Sequence, residues 1–460
     1  MNSIPNDPAL AGLAELLPAA GAPQFVLDAV RQMTGIAFSQ GLLEYFEYRP
    51  ARDARMLWSF PAESGPALLV SGKLFRDDDA GPLMEQTSLK ELAKETAVRH
   101  RAQGSYYQYL PERRVLLQLF PFDSKLPGLV RATSREWVAR AFAGLLGIPA
   151  AQCDVRKVET ITYKPSKRAA LRYIVQQPGQ QVHYFGKLFQ DDRGERMIPL
   201  FDTLRQQFQH KGVPWDLPKP LFYVPAVQML TMEGLEDPTE VRTLLERSSQ
   251  DLQARRALRA LFGQIAQGLA PLQRATVGEL PEEPPKVVLK KLYKSTAAPE
   301  GLARLLPGGA GRFMGLVQRL EENAARLPAE RLVLTHGALR HNHFLLRGDR
   351  PVLIDLDGLC LRGPSADAGD FLAYVDWRRC RHEAFRSILD ECEDVFWTGL
   401  KEHPGLSRGW LNWYRAAGHL KWTLHALRSL SPRYQEDAEA ILRVADGILT
   451  SGVPVYVGAT

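Results

Sequence analysis

At 460 residues the chain is too long for one ordinary hydrophobic core, so two or three domains or subdomains are expected. Apolar residues make up 45% and charged residues 24%, which excludes wholesale disorder and collagen-like or coiled-coil sequences. The 58 Lys+Arg against 52 Asp+Glu leave a formal net charge of +6, too diffuse to indicate nucleic acid, which calls for basic residues gathered in a patch or stripe. Cys153, Cys360, Cys380 and Cys392 lie far apart with no C-x-x-C pair, arguing against a zinc site or a disulfide framework and making a reducing cytoplasm the expected compartment. The opening MNSIPNDPALAGLAELLPAAGAP lacks a basic n-region and an unbroken apolar core. No later segment approaches the ~18 apolar residues needed to span a bilayer, so neither export nor a membrane partner is expected.

In chain order, the first feature is a repeat. Residues 44–60 (EYFEYRPARDARMLWSF) and 159–175 (ETITYKPSKRAALRYIV) share Tyr48-Arg49-Pro50 and Tyr163-Lys164-Pro165, each followed by basic residues and a strand-like run. Gly72-Lys73-Leu74-Phe75 recurs as Gly186-Lys187-Leu188-Phe189, with Asp77-Asp78 and Asp191-Asp192 just beyond. A weaker match aligns Tyr109-Leu110-Pro111 with Tyr223-Val224-Pro225, and the spacing stays at 114 or 115 throughout. Each copy reads as an antiparallel meander with a helix after its second strand, in LMEQTSLKELAKETAVRHRAQ and in MIPLFDTLRQQFQHK. Between the copies, SREWVARAFAGLLG has helical spacing and a C-terminal glycine.

The second half changes character. SSQDLQARRALRALFGQIAQGLAPLQRA is a long amphipathic helix pattern, and the Pro- and Gly-rich stretch from Leu280 to Arg312 reads as loop around a short helix. Three further helical runs fill the C-terminus, around HEAFRSILDECEDVFWTGLKE, GWLNWYRAAGHLKWTLHALRSL and QEDAEAILRVADGIL, giving an α+β arrangement. The runs RPARDAR and KPSKR read as solvated turns, with phosphate or nucleic-acid contact the minority reading, and WRRCRH at 377–382 as an exposed helix start.

The densest chemistry lies in LVLTHGALRHNHFLLRGDRPVLIDLDG, residues 332–358. Two strand-like pieces surround a polar loop with His336, Arg340, His341, Asn342 and His343, and the second piece ends in Asp355 and Asp357. Carboxylates at i and i+2 of an extended segment face opposite ways, so both reach one cleft only if the chain bends, which Gly358 permits. Hard oxygen ligands at a strand end suit Mg²⁺. The spacing of the three histidines matches no usual zinc site.

This H-G-x-L, apolar strand, I-D-x-D-G and G-P-x-x-D series resembles the aminoglycoside phosphotransferase and choline kinase group, relatives of the protein kinases, in a divergent branch lacking the catalytic aspartate. The resemblance implies a two-lobed, protein-kinase-like fold, with a β-rich N-lobe, an α-helical C-lobe and ATP between them, preceded here by a duplicated N-lobe-like α+β subdomain. The corresponding boundaries are 1–125, 126–236 and 237–460. His336 matches the loop histidine, Asp355 the Mg²⁺-binding aspartate, Asp357 the second aspartate of its motif and Asp367 the residue bracing the loop. Lys187 matches the phosphate-contacting lysine, leaving Lys73 structural, and Met232 and Glu233 fall on the hinge that would bind adenine; Glu195 is the candidate partner of Lys187. Two positions depart from the family. Ala338 replaces the catalytic aspartate and His343 the Mg²⁺-binding asparagine, so Arg340 and His343 are expected to supply part of the missing machinery. The expected function is ATP- and Mg²⁺-dependent phosphoryl transfer to a hydroxyl of a small molecule, sugar or natural-product precursor. The alternative is a pseudokinase, a nucleotide-sensing or scaffold module with a protein partner.

Overall fold

The computed structural model describes residues 4–17, 21–62, 65–76, 81–96, 105–295, 299–401 and 403–452. After helix α1 (Gln24–Thr34), alternating apolar residues form β1 (Leu42–Arg49), β2 (Asp53–Phe60) and β3 (Leu68–Phe75). Helix α2 (Gly81–Thr96) leads to β4 (Tyr107–Leu110) and β5 (Val115–Leu119), closing an antiparallel sheet of order β1-β2-β3-β5-β4. Asp77, Asp78 and residues 97–103 of the expected first helix lie outside the described residues. Next come α3 (Leu129–Ala132) and α4 (Arg135–Leu146), the latter capped by Ser134 and ended by left-handed Gly147. The second sheet comprises β6 (Asp154–Lys164), β7 (Arg168–Gln177), β8 (Gln180–Leu188), β9 (Pro220–Val224) and β10 (Met229–Glu233), with α5 (Arg193–Lys211) after its third strand. Its order, β6-β7-β8-β10-β9, is that of the first sheet.

The likeness extends to single contacts. The Tyr48 hydroxyl donates to Asp7 at 2.7 Å and the Ala51 N–H donates to the same oxygen at 2.8 Å. In the second sheet the Tyr163 hydroxyl donates to Asp123 at 2.8 Å and the Ser166 N–H to the same oxygen at 2.7 Å. Ala51 and Ser166 are both left-handed, so a buried carboxylate holds each strained turn. Gly72 and Gly186 occupy matching central positions for a steric reason. A Cβ would lie 2.6 Å from Trp58 at the first and 2.5 Å from Met229 at the second.

Beyond the sheets, β11 (Thr239–Glu240) and α6 (Val241–Arg247) precede α7 (Leu252–Gln273), the expected long helix, whose N-terminus Asp251 caps. The 280–312 region is mostly helical rather than loop, with α8 (Pro285–Ser295), α9 (Pro299–Leu305) and the start of α10 (Ala310–Arg326). Pro285 and Pro299 open their helices at the first position, where a missing N–H costs nothing. Short strands follow: β12 (Val333–Thr335), β13 (Phe344–Arg347), β14 (Arg350–Leu353) and β15 (Cys360–Arg362). The chain then builds α11 (Ala366–Arg381), α12 (Arg386–Leu400), α13 (Arg408–Ser429) and α14 (Tyr434–Ser451). WRRCRH is not an exposed helix start but the end of α11, where Trp377 and Arg379 are buried at 4% and 2% exposure and Arg381 is exposed.

Three cores join these parts. Met56, Trp58 and Val70 of the first sheet share a core with Val288 of α8, Phe313 of α10, Trp413 and Leu420 of α13 and Ile441 of α14. Leu204 and Phe208 of α5 pack with Leu258 and Ile265 of α7, Phe371 of α11 and Phe396 of α12. Leu171, Tyr173 and Met229 of the second sheet pack on Phe142 of α4, and Leu57 of the first sheet joins them. A helical C-terminal part thus supports two β-rich units, and the cleft lies where the second meets it.

Candidate active site

Lys187 is the next-to-last residue of β8, paired across the sheet with Leu230 of β10 and Ala170 of β7. Its ammonium leaves the sheet toward the hairpin of β13 and β14. There the chain exits β14 and turns at Asp355, whose backbone is left-handed (φ 62), before a 3-10 turn at Leu356–Gly358. The bend needed to gather both carboxylates is therefore made at Asp355 itself and not at Gly358; aspartate tolerates this conformation better than most residues. As a result Lys187 Nζ lies 2.6 Å from Asp355 Oδ1 and 2.5 Å from Asp357 Oδ2. Arg168, the first residue of β7, stands 3.7 Å from each of the same carboxylates. Burial alone would raise the Asp355 carboxyl, but Lys187, by charge and hydrogen bond, and Arg168 outweigh it and hold the group well below the usual carboxylate range.

The expected partner of the lysine is not Glu195, which is exposed in the first turn of α5. The lysine–helix pair exists in the other sheet, where Lys73 bonds the buried Glu85 of α2. At the repeat spacing of 114, Glu85 corresponds to Pro199 of α5, which cannot pair. Lys187 is thereby left to the aspartates across the cleft.

The loop after β12 is braced from behind. Asp367, near the start of α11, accepts the His336 N–H at 2.7 Å and the Gly337 N–H at 3.1 Å. Arg362 of β15 donates to Asp370 at 2.6 Å and to the Gly337 carbonyl at 3.3 Å, and Lys421 of α13 reaches Asp370 at 3.2 Å. The His336 ring nitrogen Nε2 lies 3.2 Å from the Ile354 carbonyl, and the ring stacks on His343 at 5.0 Å. His343 Nε2 is 3.5 Å from Asp355 Oδ2. Burial, together with Arg340, His336 and Lys187, pushes the imidazole of His343 down against the pull of Asp355, so it is neutral at physiological pH. Ala338 is exposed on the same loop.

Lys187, Asp355, Asp357 and His343 therefore converge, with His336 and Asp367 behind them. Met232 and Glu233 lie on β10, beside β8, but the Glu233 N–H already donates to the Lys219 carbonyl at 2.8 Å and its carboxylate accepts from Arg347 at 3.0 Å. The Gly234 N–H is also taken, by the His183 carbonyl at 2.9 Å. The donors at 233 and 234 serve the fold. Arg168 and Lys164, at the two ends of the turn between β6 and β7, were not among the expected site residues. Their signal was KPSKR: the run is not a freely solvated turn, since Arg168 faces the aspartates and Lys167 bonds Glu47 of β1 at 2.6 Å. In RPARDAR, Arg49 pairs with Asp53.

Two carboxylates, the oxygen donors Mg²⁺ prefers, face one half-buried space beside the His343 imidazole; among the described residues no three His, Cys, Asp or Glu side chains are grouped so as to hold a metal ion by themselves. Among the described residues no helix is long and apolar enough to cross a membrane. Residues 161–393 match the phosphotransferase enzyme family. No curated protein matches the chain. Among solved structures, a choline/ethanolamine kinase family protein from Mesorhizobium loti is similar at 14% identity and a TM-score of 0.43, covering 68% of this chain and 95% of the other. Choline kinase LicA from Streptococcus pneumoniae is similar at 14% identity and a TM-score of 0.42 over 68% and 98% of the two chains. Amicoumacin kinase hAmiN, solved in complex with AMP-PNP, Ca²⁺ and Ami, is similar at 13% identity and a TM-score of 0.47 over 72% and 97%.

Proposed function

The chain belongs to the phosphotransferase enzyme family, and on that premise we propose that it transfers the γ-phosphoryl group of ATP to a hydroxyl of a small molecule, sugar or natural-product precursor. The observation that carries this reading is the meeting of Lys187 with Asp355 and Asp357 across the cleft. An ammonium shared by two carboxylates holds the place of a cation and a phosphate together until both arrive. Asp355 and Asp357, with His343 Nε2 as a neighbouring donor, would hold Mg²⁺. When bound, the ion would neutralise charge on the phosphate oxygens. Lys187 and Arg168, released from the carboxylates, would then turn to the phosphates. The acceptor oxygen forms its bond to the γ-phosphorus as the bond to the bridging oxygen of ADP breaks. With alanine at 338, no carboxylate there takes the hydroxyl proton early; it leaves late, to a phosphoryl oxygen. General-base loss costs about 10²–10⁴-fold, while positioning and charge stabilisation carry most of such a reaction.

Ala338 also favours a second reading, a non-catalytic nucleotide-binding module. Thermal shift with ATP and Mg²⁺ on wild type, Lys187→Ala and Asp355→Ala tests both. Stabilisation of the wild type that is lost in the two variants is expected; no shift at millimolar nucleotide would sink both readings. Slow ADP formation abolished by Asp355→Ala supports the enzyme, and binding without turnover across a broad acceptor panel supports the module.

A further inference from the structure

Two cations near the aspartates lack the partners that buried charges normally have. Arg340 Nε is buried without a hydrogen-bond partner, and among the described residues no carboxylate pairs with its guanidinium. The group lies instead 5.6 Å from the ring centres of both Tyr374 (α11) and Trp422 (α13). Lys164, at the end of β6, likewise makes no ion pair among the described residues. Burial depresses its ammonium and so do Arg168, Arg340 and Lys167, with Asp355 pulling the other way. An unpaired charge held out of bulk water costs free energy unless something of opposite sign joins it.

Arg340 reaches α13 at Trp422, and Lys164 acts on His425 of the same helix. His425 on that helix lies against Trp422 at 5.4 Å and Trp377 at 6.3 Å. Burial and the cations Lys164, Arg340 and Arg381 push it down to about 4, with Glu47 opposing, so it is a neutral donor or acceptor at physiological pH. The first sheet borders the same place, with β1 packed on α13. Glu47 of β1 holds Lys167 at 2.6 Å, and Glu47, Arg49 and Arg52 all act on Arg428 of α13. The carboxylates at this rim, Glu47 and Asp53, are already engaged by Lys167 and by Arg49 and Arg55.

We infer that the place where Arg340, Lys164 and His425 gather is the acceptor seat and that it selects an anion: a hydroxyl-bearing molecule that already carries a carboxylate or phosphate group, read by Arg340 over Trp422 and by Lys164, with the β1–β2 turn of the first sheet at its edge. The inference rests on the phosphotransferase reading above. A cationic acceptor would meet several cations with their carboxylates already taken, and a neutral one would leave Arg340 and Lys164 unmatched.

Calorimetric titration of the full chain, loaded with AMP-PNP and Mg²⁺ so that the nucleotide phosphates occupy their own place, tests this with glucose, glucosamine, gluconate, glucose 6-phosphate and inorganic phosphate. At least one anionic probe is expected to bind about tenfold more tightly than glucose, and glucosamine to bind weakest. Gluconate alone would assign a carboxylate; glucose 6-phosphate with inorganic phosphate would assign a phosphate. Lys164→Gln should remove most of the anionic advantage while AMP-PNP affinity changes less than about twofold. Arg52→Ala, an exposed change that leaves the fold intact, should weaken the anionic probe a few-fold. Equal or tighter binding of glucose or glucosamine overturns the proposal, as does silence of every anionic probe. Loss of AMP-PNP affinity in Lys164→Gln as large as the loss of probe affinity also overturns it, since these cations would then serve the nucleotide. An unchanged Arg52→Ala overturns the role of the first sheet. If AMP-PNP fails to bind the wild type, the phosphotransferase reading fails instead, and the same probes titrated without nucleotide still decide the anion preference.

Discussion

Ala338 is where residue chemistry departs furthest from the family pattern, and its surroundings make the departure testable. The loop around it is held by Asp367 and Arg362, and position 338 is exposed between Gly337 and the buried Leu339. An aspartate can enter there without repacking. If proton removal is the missing contribution, Ala338→Asp should raise the initial rate of ADP formation by about ten- to a hundredfold, within the range a general base supplies. An unchanged rate would mean that the loop no longer presents position 338 to the acceptor. Asp355 was legible because it closes an apolar run with a charge, a placement that burial penalises without a partner, and Asp357 and Lys187 because they fall on the I-D-x-D-G motif and on the repeated Gly-Lys-Leu-Phe. Their pairing was not legible. It spans 168 residues, and the helix partner suggested by the fold exists only for Lys73, since Pro199 stands where Glu85 would recur. Arg168 and Lys164 were hidden for a different reason: a basic turn looks the same in sequence whether it faces water or a cleft.

Among the elements, the two carboxylate-clamped turns show how far a repeat can be read. Tyr48-Arg49-Pro50 and Tyr163-Lys164-Pro165 were visible, but the clamping aspartates sit about forty residues upstream, at Asp7 and Asp123, in a sparse Asp-x-x-Leu-x-Gly-Leu match (7–13 and 123–129) that was not singled out. Asp123 accepts from Tyr163, Ser166 and Lys125 and is fully buried, so its removal strands a hydroxyl and backbone donors. Asp123→Ala should cost about 2–4 kcal/mol by chemical denaturation, and Asp123→Asn, which keeps an acceptor oxygen, clearly less. Equal losses would show that the charge and not the hydrogen-bond geometry matters. Since the turn leads into Arg168, which faces Asp355 and Asp357, the same change should also weaken nucleotide stabilisation. Helices α4, α5 and α7 were readable because each keeps an apolar stripe. Helix α11 was missed because it is buried nearly all round, with Asp367, Asp370, Asp376 and Arg379 inside it and no polar face to mark it. Asp376 is satisfied there by Arg415 at 2.6 Å and His419 at 2.9 Å. Where α8 and α9 stand the sequence suggested a single short helix within loop, because their opening prolines read as breakers.

For the molecule as a whole, the first sheet is less an appended domain than a second support under the helices of the C-terminal part. Its inward face, Met56, Trp58 and Val70, is in one core with α8, α10, α13 and α14, and α13 also carries Trp422 and His425 at the cleft. Burial on this scale stabilises by ~25 cal/mol for each Å² of apolar surface removed from water, so separating the sheet would expose a face the helices cannot cover themselves. Chains of this length commonly unfold in stages, domain by domain. Here the shared core argues that amides of β2 in the first sheet and of α13 near the far end of the chain lose protection together. Native-state hydrogen exchange across a denaturant series should give these two elements the same opening free energy, with the short strand β4 at the sheet edge exchanging earlier. Separate midpoints for β2 and α13 would mean that the common core is an interface between independently stable units, and the first sheet could then open and close over the acceptor seat without unfolding the lobe beneath it.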